Sequence, residues 1–316
     1  MSNETPNVML VSQVMPYMAQ SLNEQYVVHE KDHIVDPGAL GRIRALVGGG
    51  DSKVEAKLMA MLPNLEMISV VGVGYDGVDV KAALERGVKI SHTPNVLNDD
   101  VADLALAHLL NVARRLPQAD RFVRNSDWVE GPYPLSRKLS GSRLGLVGMG
   151  RIGQAIAKRA MAFDMSISYT ARSPKPELPF TYYPTPAALA AEVDFLCLIT
   201  PGGPGTKHLI NAEVLKALGP KGYLVNVARG SVVDEAALIE ALQKKQIAGA
   251  GLDVFSDEPR VAAELRNLQN VVLTPHVGSA TLETRKAMSD LALANLKAHF
   301  AGQALVSPIP ECRDAA

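Results

Sequence analysis

The sequence predicts an α/β fold built on two parallel sheets. Short apolar runs rich in Val, Ile and Leu alternate with helix-patterned segments along the chain, the signature of parallel strands covered on both faces. The 316 residues, 47% hydrophobic and 21% charged, hold ample material for large buried cores, and that length favours two domains over one. The alternation also comes as two series, parted by a long amphipathic stretch and a loop rich in Gly, Pro and Ser.

In the first series the strands fall at residues 8–13, 45–48, 67–71 and 88–92, with helix-like segments such as 80–86 between them. The amphipathic stretch covers 98–115 and the loop 131–141. The second series places strands at 144–147, 166–171, 194–200, 223–228, 249–255 and 271–274, enough for a complete dinucleotide-binding sheet. A last helix, 282–300, has no following strand of its own. It is expected to cross back to the first domain, giving a discontinuous domain of residues 1–96 plus 284–316 and a continuous one of 97–283.

Composition narrows the function. Lys plus Arg number 32 against 33 Asp plus Glu, a formal charge of −1, so the basic excess of a nucleic-acid binder is absent. The two cysteines, Cys197 and Cys312, argue for neither disulfides nor a metal site, which fits a reducing cytoplasm. No run of about 18 apolar residues occurs, and residues 1–20 lack a basic segment followed by an apolar one. The expectation is a soluble, untargeted, cytoplasmic protein with no membrane or nucleic-acid partner.

The strongest local signal is Gly148-Met149-Gly150-Arg151-Ile152-Gly153, set between the strand at 144–147 and a helical run at 154–162. Gly148 permits a tight turn, Gly150 lets backbone approach a pyrophosphate, and Gly153 lets helix and strand pack closely, with the helix N-terminus facing the anion. An NAD site would place an acidic residue about 20 positions further on. Arg172 stands there instead, followed by Ser173. A guanidinium and a hydroxyl suit a ribose 2′-phosphate, which favours NADP(H) over NAD(H). A solvated basic loop, or Glu177 as a displaced ribose ligand, is the alternative.

Three polar groups each follow a predicted strand: Arg229 in Asn226-Val227-Ala228-Arg229-Gly230, Glu258 in Asp253-Val254-Phe255-Ser256-Asp257-Glu258-Pro259, and His276 in Thr274-Pro275-His276-Val277-Gly278. Strand C-termini of an open parallel sheet line its ligand crevice, so these distant residues can converge. Singly they read as a surface charge, an acid at a helix start and a loop histidine. Together they meet the needs of reducing a 2-oxo acid: a fixed cation for the carboxylate and carbonyl, a proton donor for the nascent alkoxide, and a carboxylate that keeps the donor protonated.

These segments, in this order and spacing, resemble the D-isomer-specific 2-hydroxyacid dehydrogenases. The stretches Val71-Gly72-Val73-Gly74-Tyr75-Asp76-Gly77-Val78-Asp79 and Thr93-Pro94-Asn95-Val96-Leu97-Asn98-Asp99-Asp100-Val101-Ala102-Asp103 extend the resemblance over nearly the whole chain. It implies two Rossmann-like domains with the active site in the interdomain cleft, and a homodimer using the 98–115 helix. It implies that Arg229 binds substrate, His276 is the acid/base with Glu258 as partner, and Val73 and Gly74 offer N–H groups to the substrate carboxylate. By the same likeness Arg151 and Ile152 approach the pyrophosphate, Thr200, Thr206 and Val227 surround the cofactor, and Asp253 and Gly278 lie near the nicotinamide. Within the family the sequence looks most like NADPH-dependent glyoxylate/hydroxypyruvate reductases, with hydroxyphenylpyruvate and 2-ketogluconate reductases as alternatives. A non-catalytic NAD(P)-sensing corepressor on the same fold is the reading from another class.

Overall fold

The computed structural model describes residues 5–33, 37–50 and 52–313. The chain divides into two compact units, one made of the residues up to 97 and those from 281 onward, the other of residues 98–280.

The first unit carries five parallel strands, β1 (Asn7–Leu10), β2 (Val27–Glu30), β3 (Ile43–Gly49), β4 (Met67–Val71) and β5 (Lys89–Ser91), in the order β2-β1-β3-β4-β5. Its inner strands are buried nearly throughout, as a sheet covered on both sides requires. Met9, Leu46, Ile68 and Ile90 pack on one face with Met59 and Leu62. Val8, Ala45, Val47 and Met67 pack on the other with Met18 and Leu22 from the helix Pro16–Gln25, and with Ala292 and Leu296 from the helix Leu282–Phe300. The helix Leu282–Phe300 covers this sheet. Strand β2 was not expected: it is an edge strand of four residues, partly exposed along its length, so it shows no apolar run.

The second unit carries β6 (Arg143–Val147), β7 (Ser166–Thr170), β8 (Thr181–Tyr182), β9 (Phe195–Leu198), β10 (Tyr223–Asn226), β11 (Gly249–Leu252) and β12 (Val271–Leu273), in the order β12-β11-β10-β9-β6-β7-β8. The two-residue edge strand β8 was likewise not foreseen. Register aligns one edge of this sheet: Val147 lies beside Thr170 and Leu198, Leu198 beside Asn226, Asn226 beside Leu252, and Leu252 beside Leu273. The segments leaving these strands therefore emerge along one line. Strand order reverses between β1 and β3 in the first sheet and between β6 and β9 in the second, the positions where doubly wound sheets bind ligands.

The helix Asn98–Arg114 covers β10, β11 and β12, burying Val101, Ala105, His108, Leu109 and Val112. Cys197 and Cys312 are free thiols, and complete burial pushes the Cys197 thiol up to about 12. Among the described residues no helix is long and apolar enough to cross a membrane.

Candidate active site

The turn after β6 is built by its glycines. Gly148 has φ +108°, and a Cβ there would fall 2.6 Å from the Ile199 carbonyl oxygen. Gly153, buried in the first turn of the helix Arg151–Met161, would place a Cβ 2.5 Å from the Gly148 carbonyl oxygen. Only glycine lets the helix start against the turn at both points. Gly150 differs: it caps the helix, and nothing lies within 4 Å of where its Cβ would be. That open cradle, with the free N–H groups of the helix start next to it and the sheet reversal beside it, fits a dinucleotide pyrophosphate. Arg151 is exposed and Ile152 half-buried.

Arg172 and Ser173 stand exposed just beyond β7. Glu177 lies 3.8 Å from the Lys175 ammonium, and among the described residues Arg172 has no carboxylate partner. Its guanidinium is thus available to an anion. Thr200 follows β9, half-buried, and Val227 follows β10, buried. The Thr206 hydroxyl donates to the Pro201 carbonyl at 2.7 Å and so closes its own loop.

Beyond β10, Asn226 folds the chain back. Its Oδ1 accepts from the Ala228 N–H and its Nδ2 donates to the Arg229 carbonyl, each at 3.0 Å. The Arg229 guanidinium donates to the Ala228 carbonyl at 2.8 Å, which steadies the side chain. A Cβ on Gly230 would fall 1.9 Å from the Phe255 carbonyl group, so this turn rests on the peptide leaving β11. Ser256 donates from N and Oγ to Glu235, at 3.0 and 2.8 Å, anchoring the same segment.

Glu258 accepts at Oε1 from the Phe255 N–H at 2.9 Å, and its Oε2 lies 2.7 Å from His276 Nδ1. His276 adopts φ +53°, a left-handed conformation that costs a non-glycine residue about 1–2 kcal/mol. Asp253, 1% exposed, holds it there. Its carbonyl accepts from the His276 N–H at 2.8 Å. Its carboxylate accepts from Thr274 Oγ1 at 2.6 Å, the Val277 N–H at 2.8 Å and the Gly278 N–H at 2.9 Å.

The charges support one another. The hydrogen bond to Glu258 holds the His276 imidazole above its ordinary pKa, outweighing burial and the nearby Arg229 cation. Burial alone would raise the Glu258 carboxyl, but the bonds from His276 and the Phe255 N–H, with Arg229 close by, hold it below the usual carboxylate range. A charged pair is therefore favoured, with Nδ1–H on the carboxylate and Nε2–H left for a reactant.

Arg229, Glu258 and His276 thus meet in the second unit. Val73 and Gly74 belong to the first, in the turn after β4, where the Val73 carbonyl is held by His92 Nδ1 at 3.0 Å. Sequence reasoning did not single out Asn226, Glu235 or Thr274. The Asn226 signal was present, since an Asn ending a strand commonly bonds its own backbone two residues on. Glu235 and Thr274 gave none.

This combination defines a dehydrogenase with a nicotinamide cofactor and a histidine–carboxylate pair, and the chain belongs to the D-isomer specific 2-hydroxyacid dehydrogenase family. Residues 106–278 match the model described as "D-isomer specific 2-hydroxyacid dehydrogenase, NAD binding domain". Among its relatives, the hydroxyphenylpyruvate reductase of Plectranthus scutellarioides is 50% identical over 267 residues, covering 84% of this chain and 85% of that one. The 2-ketogluconate reductase of Gluconobacter oxydans is 42% identical over 305 residues, covering 96% and 98%. Among solved structures, the NADPH-dependent glyoxylate/hydroxypyruvate reductase of Sinorhizobium meliloti, in complex with NADP and malonate, matches with a TM-score of 0.92 and 45% identity over 98% of both chains.

Proposed function

We propose that this chain reduces small 2-oxo acids, glyoxylate and hydroxypyruvate foremost, to D-2-hydroxy acids at the expense of NADPH. The observation that carries the proposal is the 2.7 Å contact between His276 and Glu258, at the same sheet edge as the glycine turn. Bound cofactor supplies the hydride for the carbonyl carbon. Protonated His276, anchored through Nδ1, delivers its Nε2 proton to the carbonyl oxygen as that oxygen becomes an alkoxide, and Glu258 keeps the imidazolium populated near neutral pH. Arg229 binds the substrate carboxylate and polarises the carbonyl. The contribution proposed for the first unit, residues 1–96 with 284–316, is substrate binding through the Val73 and Gly74 N–H groups.

Because His276 titrates above the ordinary imidazole range, reduction persists to higher pH than a free histidine would allow and falls as pH rises through that value. Exposed Arg172, with Ser173, supports NADPH over NADH, and the Sinorhizobium meliloti relative holds NADP. Gly148, Gly150, Arg151, Ile152 and Gly153 would take the pyrophosphate, with Thr200, Thr206, Val227, Asp253 and Gly278 around the rest of the cofactor. A homodimer through the helix Asn98–Arg114 completes the proposal.

The test is the loss of NADPH absorbance, and separately of NADH absorbance, with glyoxylate, hydroxypyruvate, hydroxyphenylpyruvate and 2-ketogluconate. Rapid oxidation of NADPH by glyoxylate or hydroxypyruvate is expected. Preference for one of the other two acids would move the substrate assignment, and binding of cofactor without turnover of any would replace the reductase by a sensor.

A further inference from the structure

His108 lies on the sheet-facing side of the helix Asn98–Arg114 and is 1% exposed. Burying a polar group without partners costs about 1–3 kcal/mol, so a histidine in this position calls for a reason. The sheet makes room for it. Gly251 on β11 has no side chain where a Cβ would fall 2.9 Å from His108 Nδ1 and 3.1 Å from His108 Cβ.

His108 Nε2 lies 2.9 Å from Thr274 Oγ1, which lies 2.6 Å from Asp253 Oδ1. A carboxylate can only accept, so the threonine proton points to Asp253 and the hydroxyl must accept from the imidazole. The tautomer follows: Nε2 carries the proton, and buried Nδ1, which has no hydrogen-bond partner among the described residues, carries none. Burial lowers the His108 pKa against the pull of Asp253, which keeps the ring neutral.

We propose that His108 is a positioning residue for the reaction: through Thr274 and Asp253 it locks the 274–278 loop that presents His276 to the substrate. The Asp253 carboxylate receives the Thr274 hydroxyl and the Val277 and Gly278 N–H groups, and its carbonyl receives the His276 N–H, which the Thr274 carbonyl shares at 3.1 Å, so most of the bonds that shape the backbone around left-handed His276 converge on Asp253. His108 fixes the rotor of the hydroxyl at the head of that set. Without it the hydroxyl is held from the Asp253 side alone, and the Thr274–Asp253 bond loses the contact that fixes its direction. The charged groups that bear on His276 are Glu258, Arg229 and Asp253. A shift of Asp253 therefore reaches the His276 proton as well as its position. The inference rests on the reading of His276 as proton donor.

The test is steady-state kinetics of full-length His108→Leu and His108→Gln with NADPH and hydroxypyruvate across pH, with cofactor affinity and Tm measured in parallel. A displacement of about 1 Å at a reacting group costs roughly 10²-fold, so His108→Leu should lose roughly 10- to 100-fold in kcat with KM little changed. Its basic pH limb should move to lower pH. His108→Gln, whose amide can donate from nearly the same place, should recover most of both. Thr274→Val is the second route if His108→Leu fails to fold, and it should move the pH limb the same way. A wild-type kcat and pH profile in His108→Leu, or in Thr274→Val, with only Tm lowered, would make His108 a packing residue and overturn the inference. The companion variant His276→Ala separates the two readings. If it turns over normally, the proton-donor reading falls and this inference falls with it. If it is inactive beside an unaffected His108→Leu, only this inference falls.

Discussion

At the reversal of the seven-stranded sheet, the space where a Gly150 Cβ would sit is open. Just past β3 of the five-stranded sheet, the Gly74 carbonyl oxygen lies 1.8 Å from the corresponding point on Gly50. Both read in the sequence as glycine-rich segments at the end of an apolar run, Gly148-Met149-Gly150 and Gly48-Gly49-Gly50. One leaves that space open, and the other is filled by the chain. The first sheet closes its own reversal further: the Gly49 N–H donates to Ser12 Oγ at 2.9 Å, and a Cβ on Gly48 would meet Val11 Cγ2 at 2.5 Å. A glycine pattern alone does not separate ligand space from packing. What surrounds it does.

The sharpest way to break this contrast is to remove the group assigned to chemistry in the second unit. His276→Ala should cut kcat by roughly 10²- to 10⁴-fold while cofactor affinity, read by fluorescence titration, stays near the wild-type value. Near-normal turnover would take His276 out of the mechanism. Next in size, Arg172→Asp should weaken NADPH by roughly 10- to 100-fold, the worth of about 1.5–3 kcal/mol in a charged hydrogen bond, and leave NADH almost untouched. Equal losses for both cofactors would remove the basis for choosing between them.

The two glycines then test the comparison directly. Gly50→Ala forces a methyl group onto backbone and should cost about 1–3 kcal/mol in chemical denaturation. Gly150→Ala should stay within about 0.5 kcal/mol of wild type yet bind cofactor more weakly. Reversed outcomes would mean that the open and filled crevices had been assigned to the wrong units. The smallest effect expected is a displacement. In Glu258→Gln the His276 imidazole loses the carboxylate that raises its pKa, so the basic limb of the reduction profile should move to lower pH.

The sign for stability runs through both partners. The raised His276 contributes below its unfolded pKa and loses that contribution as pH rises through its folded one. The depressed Glu258 contributes above its unfolded pKa and loses that contribution as pH falls through its folded one. The pair therefore stabilises most between those limits, where the Tm gap between wild type and Glu258→Gln should be widest.

Much of the fold was legible because buried parallel strands and covering helices carry strong apolar patterns. Strand β4 and the helix Leu282–Phe300 fall on the predicted residues. Errors gather where pattern and ladder part company. The 249–255 run ends as a strand at Leu252, because Val254 and Phe255 stay buried after the chain has left the sheet. Edge strands β2 and β8 lack a buried face that could mark them. At the site, Arg229, Glu258 and His276 were visible as polar groups at strand ends. His108 was not: among Leu106, Leu109 and Leu110 it reads as one more position on a helix, and only the Gly251 slot across from it reveals a partner.

The split first unit has a consequence for how the chain comes into being. One face of its sheet, bearing Val8, Ala45, Val47 and Met67, is covered partly by Ala292 and Leu296. A ribosome making this chain releases that face before its cover, with the whole of residues 98–280 in between. The inserted unit can therefore fold first, although it starts later. Until the helix Leu282–Phe300 emerges, that face of the sheet lacks part of its apolar cover.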